Sequence, residues 1–287
     1  MLQAIGIDIG GTKIRVASVA ADGKIKSSMT SPTPANAADI VAAIESMIPA
    51  MNGGGKAAAI GIGVPARVDV LRGEIYPGGF IDLSKSKLSN VIRQKTGLKV
   101  FIDNDASMAL VGEARVGAAH GLANVILLTI GTGIGGAIMA NGRVLHGRAT
   151  AGQLGHVTVD FDGAPCRCGR NGCVETTSSG TALRRLIVDG GLPEETLMAD
   201  LLASEESSVK SILRAWALPL RSAIDSLVAA FDPNRVVLGG GLGIEAVQAL
   251  SNFPARSNWF QCDIVAAKLG DNAGVIGAAL ASLDSAS

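Results

Sequence analysis

Four side chains of metal-binding type occur within a short stretch of the chain. His156, Cys166, Cys168 and Cys173 are spaced as H-x9-C-x-C-x4-C. One imidazole and three thiolates make a closed tetrahedral shell for Zn²⁺, which predicts a structural zinc. The residues alone leave two alternatives open, free cysteines in a loop or a redox pair at Cys166 and Cys168. The fourth cysteine, Cys262, stands apart in a strand-like stretch, where we expect a core residue.

Asp105 is the second residue whose position suggests chemistry. It follows the apolar run Lys99–Ile102, which is typical of a strand, and precedes a predicted helix with Ala106–Gly117 as its body. Ligands collect at the carboxyl ends of strands in α/β proteins, and an Asp there could accept the proton of an alcohol during phosphoryl transfer. The alternative is an Asp that only caps the helix. Asn104 beside it could hydrogen-bond a polyol.

Two segments rich in Gly and Thr share one pattern. Residues 127–138 read LLTIGTGIGGAI, and residues 5–20 read IGIDIGGTKIRVASVA. Each pattern predicts a strand, a Gly/Thr turn, a second strand and then an Asx-Gly turn. A repeated unit of this size indicates two similar halves.

Gly/Thr turns of this kind suit a polyphosphate. Glycine lets the backbone approach an anion closely, and the Thr hydroxyls add donors. Two such turns facing each other would hold a polyphosphate from both sides, whereas the alternative is two ordinary hairpins. Asp8, in the first turn, could supply an oxygen ligand to Mg²⁺. A third run, Gly239–Gly241, fits either a nucleotide contact or a tight connection between a strand and a helix.

A dinucleotide-binding domain is the competing interpretation of the second segment. Gly131, Gly133 and Gly136 fit G-x-G-x-x-G, but that pattern requires a helix after the glycines. Asn141-Gly142 instead predicts a two-residue hairpin turn, and hence a second strand. A Rossmann domain is therefore not expected.

Length and composition limit the class of protein. A chain of 287 residues suggests about two domains, and 48% hydrophobic residues are typical of a globular protein. The net charge is zero and there is no Lys/Arg run, which argues against nucleic-acid binding. Charged residues interrupt the first apolar stretch, and no apolar run approaches the roughly 20 residues that cross a bilayer. We expect a cytoplasmic protein without nucleic-acid or membrane partners.

The remaining segments predict an α/β fold with mixed sheets, since helical and strand-like stretches alternate. Predicted helices cover 37–50, 201–231 and 272–282, and predicted strands cover 57–66, 125–130, 137–140 and 235–238. Pro219 is expected to break or kink the helix that contains it. We place a smaller domain at 1–118 and a larger one at 119–271, with the terminal helix at about 272–287 packing back on the first.

The order of these motifs is similar to that of the ROK-family sugar kinases. The motifs are D-I-G-G-T at 8–12, N-D-A at 104–106, T-I-G-T-G-I-G-G at 129–136, G-H at 155–156, C-R-C-G-R-N-G-C-V-E at 166–175 and the glycine loop at 239–243. The resemblance spans nearly the whole chain. It implies two actin-like (ribonuclease-H-like) domains closing over a cleft. It also implies ATP- and Mg²⁺-dependent phosphorylation of a hexose or N-acylhexosamine, usually at the 6-hydroxyl, by a homodimer or homotetramer.

The resemblance also implies residue roles, with Asp105 as the catalytic base. The implied sugar contacts are Gly79 of the Gly78-Gly79 turn, Asn104, Asp105, Gln153, His156 and Glu175. The implied nucleotide, phosphate and Mg²⁺ contacts are Asp8, Gly10, Gly11, Thr12, Lys13, Thr132, Gly133, Gly240 and Gly241. His156 would bind zinc with one ring nitrogen and a sugar hydroxyl with the other. Gln153 departs from the pattern, because the family usually has Glu three residues before this His.

Two other classes of protein are weighed against a kinase. A sugar-sensing regulator of the same family would carry a helix-turn-helix before the D-I-G-G-T strand, and the sequence ahead of that strand has no room for one. A non-sugar actin-like ATPase would not need the cysteine cluster or Asn104-Asp105. The sugar itself stays open among glucose, mannose, fructose, allose, N-acetylglucosamine and N-acetylmannosamine.

Overall fold

The computed structural model describes residues 2–52, 57–78 and 81–286. The chain divides into two compact units. The first unit comprises Met1–Gly121, Val144–Ala151 and Lys268–Ser287, and the second comprises Leu122–Arg143 and Gly152–Ala267. The segment 144–151, which the sequence analysis left in the larger domain, groups with the first unit. The terminal helix groups with the first unit as well.

The first unit is built on a five-stranded sheet with helices on both faces. Its strands are β1 (Gln3–Ile9), β2 (Lys13–Ala20), β3 (Ile25–Pro32), β4 (Ala57–Val64) and β7 (Lys99–Asn104), and a separate two-stranded sheet joins β5 (Val68–Asp69) to β6 (Glu74–Ile75). Its helices are α1 (Ala37–Met51), α2 (Leu88–Thr96), α3 (Asp105–Val116) and α9 (Ala273–Ala286), with a 3-10 turn at Gly270–Asn272.

The second unit also has a five-stranded sheet. Its strands are β8 (Val125–Ile130), β9 (Ile134–Ala140), β10 (Arg143–Val144), β11 (Arg235–Gly239) and β12 (Asp263–Ala266). Its helices are α4 (Glu175–Ser178), α5 (Gly180–Asp189), α6 (Met198–Ala203), α7 (Ser207–Phe231) and α8 (Gly243–Ser251), with 3-10 turns at Leu154–His156 and Asn258–Phe260.

The two sheets have equivalent strand orders. The first runs β3-β2-β1-β4-β7 and the second β10-β9-β8-β11-β12. In each, the first strand of the hairpin pairs antiparallel with the second and parallel with a later strand. The predicted repeat is therefore confirmed. So is the hairpin at Asn141-Gly142, where both residues have positive φ (51° and 74°), as a two-residue turn of type I′ requires.

Helix α9 lies directly on the sheet of the first unit because the strands have glycines, without side chains, where the helix backbone contacts them. A methyl group at Gly6 would lie 1.9 Å from the Val275 carbonyl oxygen, and one at Gly61 would lie 1.8 Å from that of Ala278. Backbone contact this close excludes any larger residue. On the opposite face, the isoleucines of β1 pack with those of α1 in a fully buried core.

One helix differs from its prediction. Pro219 lies inside α7, which runs unbroken for 25 residues, while the stretch before it forms the separate helix α6. Trp216 and Leu220, on either side of the proline, are fully buried. Burial of this apolar face maintains the helix across the hydrogen bond that proline removes. Within the described ranges, no helix combines the length and hydropathy needed to cross a bilayer.

Cys262 packs against the hydrophobic core of the second unit, in line with its prediction as a core residue. It lies just ahead of β12 and is only partly buried. Its thiol is directed to the Pro233 carbonyl oxygen at 3.4 Å.

Candidate active site

Three parallel strands of the first unit end level with one another. Asp8 of β1 pairs with Gly63 of β4, and Gly63 pairs with Asp103 of β7. Asp105 begins α3 immediately after β7, and a methyl group at Gly63 would lie 3.4 Å from its Cα. The sheet register therefore brings Asp8 and Asp105 to the same edge, with glycine leaving space between their strands.

The cap of α3 is Asn104, and Asp105, expected at or near the cap, is the next residue. The Asn104 side-chain oxygen accepts hydrogen bonds from the backbone N–H groups of Ala106 at 3.0 Å and Ser107 at 3.3 Å. Its amide nitrogen donates to the Ala66 carbonyl oxygen at 3.2 Å. The Asn104 side chain also hydrogen-bonds to Asp105, which lowers the pKa of that carboxyl and opposes the effect of burial. Asp105 is the first helical residue, and its own Oδ1 also accepts the Ala106 N–H at 2.9 Å.

Both carboxylates at this edge have raised pKa values. Burial raises the pKa of Asp105 to about 7, and the charge of Asp8 adds to the effect, while the Ala106 N–H opposes it. Burial likewise raises the pKa of Asp8 to about 6, against the nearby charge of Arg15. A carboxylate with a pKa near 7 matches what a general base needs at neutral pH.

The first glycine turn joins β1 to β2 in the same unit. The Gly10 N–H donates to the Lys13 carbonyl oxygen at 3.0 Å, and the Thr33 hydroxyl donates to the Gly10 carbonyl oxygen at 2.8 Å. A methyl group at Gly11 would meet nothing within 4 Å, so the outer side of the turn is open. The Lys13 ammonium forms an ion pair with Asp271. Gly79 lies outside the described residues.

The second glycine turn joins β8 to β9 and is supported by Glu175. The Gly131 N–H donates to the Gly133 carbonyl oxygen at 2.9 Å, and the Ile134 N–H donates to Oε2 of Glu175 at 2.8 Å. A methyl group at Gly133 would lie 2.5 Å from the same oxygen. The other carboxylate oxygen of Glu175 lies 3.8 Å from Nε of Arg167 in the cysteine loop. The sequence predicts only a sugar contact for Glu175, so this structural role is a finding of the structure.

The glycine run after β11 contacts the end of β8. Gly240 has φ +79°, and a methyl group there would lie 2.4 Å from the Ile130 carbonyl oxygen. The Leu242 N–H donates to this oxygen at 3.0 Å. Glycine at 240 is therefore required by the tight connection itself. Since Ile130 is the last residue before the second glycine turn, the two glycine segments are neighbours within the second unit.

The four predicted metal ligands converge. Their ligand atoms all lie within 4.8 Å of one another. Sγ of Cys166 is 3.5 Å from Nδ1 of His156, and the sulfurs of Cys168 and Cys173 are 3.6 Å apart. A tetrahedral zinc with bonds of about 2.3 Å to sulfur places its ligand atoms about 3.8 Å apart, so the group fits zinc. Because Nδ1 faces the thiols, Nε2 of His156 is left for another partner.

Glycines shape the loop that carries the thiols. Gly169 and Gly172 have φ of +88° and +64°, and a methyl group at Gly172 would lie 1.5 Å from the Asp160 carbonyl oxygen. The Cys166 N–H donates to the Arg170 carbonyl oxygen at 2.8 Å and closes the turn that carries Cys166 and Cys168. The loop can therefore present all four ligand atoms to one point.

The segment with Gln153 and His156 lies against β9. A methyl group at Gly155 would lie 2.0 Å from the Ile134 carbonyl oxygen. Glu175 binds the N–H of this same residue. Half-buried Gln153 precedes the 3-10 turn at Leu154–His156. Ile134, next to the second glycine turn, therefore contacts both Glu175 and the Gly155 turn that carries His156.

Sequence reasoning missed a pair of ionisable residues beside Asp105. Oδ2 of Asp103, a residue only 4% exposed, lies 2.7 Å from Nε2 of His146. Its other oxygen accepts the Asn104 N–H at 2.6 Å. Hydrogen bonding to Asp103 raises the pKa of His146. A buried carboxylate predicts some partner, but no local spacing identifies a histidine 43 positions away.

Comparison with known proteins decides the family. The model of the ROK family matches residues 4–284. The chain belongs to the ROK family. A glucokinase from Thermotoga maritima is 32% identical, with 97% of this chain and 96% of that protein covered. An N-acetylmannosamine kinase from Citrobacter koseri is 30% identical, with 97% and 98% covered.

A solved ROK structure extends the comparison to the fold. The crystal structure of a ROK family glucokinase from Streptomyces griseus, in complex with glucose and AMPPNP, has a TM-score of 0.83. It is 31% identical and covers 98% of this chain and 99% of its own. The predicted fold class, α/β with mixed sheets flanked by helices, is confirmed.

Proposed function

We propose that the chain transfers the γ-phosphoryl group of ATP to the 6-hydroxyl of a hexose or N-acylhexosamine, with Asp105 as general base. One observation carries the assignment. Asp105 lies at the carboxyl edge of the sheet with a pKa raised to about 7, and Asn104 caps the helix that Asp105 begins. Such a carboxylate is ionised in a large fraction at neutral pH and basic enough to take a proton.

The reaction divides among residues of the first unit. As the sugar oxygen attacks the γ-phosphorus, its proton passes to Asp105, the bond to the β-phosphate oxygen breaks, and ADP leaves. Asp8 would hold Mg²⁺, which neutralises phosphate charge. Its pKa of about 6 leaves it ionised at neutral pH. The side-chain amide of Asn104 would contact a sugar hydroxyl, and Gly79 would line the same site.

The second unit supplies the other sugar contacts in this proposal. Nε2 of His156 binds a hydroxyl, because Nδ1 faces the thiols. Gln153 offers one acceptor oxygen and one donor nitrogen. Glu175 combines a sugar contact with its support of the second glycine turn.

The two glycine turns bind the phosphates in this account. The exposed residues Gly11, Thr12 and Lys13 offer backbone N–H groups, a hydroxyl and an ammonium. Gly10 shapes the first turn from within. In the second unit the corresponding contacts are Thr132 and Gly133, with Gly240 and Gly241 beside the adenosine.

We also propose that His156, Cys166, Cys168 and Cys173 hold a structural zinc. Four protein ligands complete a tetrahedral shell and leave no position for a reactive water. The metal would fix the tautomer of His156 and the direction of its Nε2. It would also order the loop whose Arg167 pairs with Glu175.

A coupled assay of ADP release tests the proposed reaction. The wild-type protein is incubated with Mg²⁺, ATP and each of the six candidate sugars. We expect ADP release that depends on one or a few of them. The 6-deoxy form of the best sugar should inhibit without being phosphorylated, because it lacks the attacking oxygen. ADP release that is independent of sugar would instead indicate a different actin-like ATPase.

A further inference from the structure

Asp103 occupies a position between His146 and the cap of α3. One of its oxygens lies 2.7 Å from Nε2 of His146, and the other accepts the Asn104 N–H at 2.6 Å. Both bonds are short, with lengths in the range of charge-assisted hydrogen bonds. The carboxylate is 4% exposed, so water cannot readily replace either donor.

Asn104 in turn is fixed at three points. Its N–H is bound by Asp103, its side-chain oxygen caps the N–H groups of Ala106 and Ser107, and its amide nitrogen donates to Ala66. Asp105 is the next residue in the chain. A rotation of the Asp103 carboxylate would release the Asn104 N–H and so alter the direction in which Asp105 leaves the strand.

The turn that carries His146 is held in a specific conformation. Ala149 has φ +63°, a left-handed value that costs energy for a residue with a side chain. The Ala149 N–H donates to the His146 carbonyl oxygen at 2.9 Å. A strained residue persists only where its surroundings determine it. The segment 144–151 therefore presents the imidazole to Asp103 from a defined position.

We propose that His146 is a positioning residue: through Asp103 it holds the cap that aims Asp105. The expected effect on kcat rests on the proposed function, because it requires Asp105 to act in the reaction. The structural part of the inference, the ordering of the first turn of α3, can be measured without any substrate.

The kinetic test compares His146→Phe with His146→Gln. Phe removes the donor, and we expect kcat to fall about ten- to a hundredfold, because a small misplacement of a catalytic group costs that much. KM for ATP should stay within about twofold, since ground-state binding of ATP is unaffected. The Gln amide can donate to Asp103 and should recover most of kcat. His120→Phe, at an exposed histidine of the same unit, is the matched control and should keep wild-type values.

A second pair of variants removes the charge or the whole side chain of Asp103. At pH 8, Asp103→Asn keeps an oxygen for the Asn104 N–H and offers an amide to the neutral imidazole, so it should retain most of kcat. Asp103→Ala should not. The positioning role would be overturned if Asp103→Asn and Asp103→Ala lost kcat equally. It would also be overturned if His146→Phe and His146→Gln lost kcat equally.

Hydrogen exchange measured by mass spectrometry tests the structural part in protein without substrate. In His146→Phe, the peptide covering residues 103–110 should exchange at least about tenfold faster than in wild type, because its capped amides open locally. Unchanged exchange in this peptide overturns the proposal. Faster exchange in a protein that shows no sugar-dependent turnover supports the positioning role and refutes the proposed function.

Discussion

The charge of Asp8 acts on Asp105 within the first unit and adds to the burial that raises the pKa of Asp105 to about 7. The two residues are on different strands, and the pairing of Asp8 with Gly63 brings them to one edge of the sheet. In the proposed reaction one carboxylate binds Mg²⁺ while the other takes a proton. Their proximity therefore links metal binding to the basicity of the general base.

This coupling predicts the pH dependence. Asp105 must be ionised to act, so kcat/KM should rise with pH through about 7. Asp8→Asn removes a like charge, which should lower the pKa of Asp105 and move the acid limb of the kcat/KM profile to lower pH. Total activity should also fall, because the variant lacks the proposed Mg²⁺ ligand. The measurement is the pH profile of kcat/KM for both proteins. Asp22→Asn, at an exposed turn, is the control. An acid limb that stays in place in Asp8→Asn would contradict the coupling.

Asp105 should also make the protein less stable as the pH rises from acid to neutral. Its folded pKa of about 7 exceeds the ordinary value of 3.8, so stability falls as pH rises between these values. Asp105→Asn removes this cost. Its gain in unfolding free energy over wild type should be roughly 1–3 kcal/mol larger at pH 8 than at pH 5, since one pKa unit is worth about 1.4 kcal/mol. Urea unfolding at the two pH values measures it. An equal gain in unfolding free energy at pH 5 and pH 8 would show that titration of Asp105 does not cause the difference in stability.

Removing one zinc ligand should disable the second glycine turn. Cys168→Ser should lose the metal and disorder the loop that carries Arg167, so that Glu175 loses its partner. We expect loss of activity in a chain that stays mostly folded, because each unit has its own buried core. Cys262→Ser, outside the cluster, is the control. Metal analysis of protein purified without added zinc decides the matter, and absence of zinc or full activity without it would refute the proposal.

Gln153 should affect the choice of sugar. Glu accepts hydrogen bonds with a full charge, whereas Gln is neutral and also donates, so bonds from sugar hydroxyls to Gln are weaker by about 1 kcal/mol each. If Gln153 donates to an acyl oxygen or a differently placed hydroxyl, Gln153→Glu should raise kcat/KM for glucose and lower it for the native sugar. Both sugars are measured on one preparation. A shift of both in the same direction by the same factor would exclude Gln153 from specificity.

The repeated hairpins show what the sequence predicts well. Apolar alternation, the Gly/Thr turns and Asn141-Gly142 located the strands of both sheets to within a few residues, because local chemistry determines them. Pro219 predicts a break or a kink, and the structure excludes the break by showing the continuity of α7. This continuity depends on burial of Trp216 and Leu220 against distant residues, which no local pattern reveals.

The candidate site shows the same limit. The zinc ligands and Asp105 were identified from residue type and spacing. The sequence predicts Asp105 at or near the cap of α3, and only the hydrogen bonds show that Asn104 is the cap, because either side chain can cap a helix. The contact of Glu175 with the Ile134 N–H joins residues 41 positions apart, and its only local signal was the glycine at 133.

The central claim, that Asp105 is the base in phosphoryl transfer to a sugar, is tested most directly by Asp105→Asn. With the best sugar from the ADP-release assay, kcat should fall by about 10²–10⁴-fold, the usual contribution of a general base, while the dissociation constant of the sugar stays close to that of wild type. Titration calorimetry on the same preparation measures the dissociation constant of the sugar. A variant that binds the sugar normally and keeps more than about a tenth of wild-type kcat would show that Asp105 is not the base.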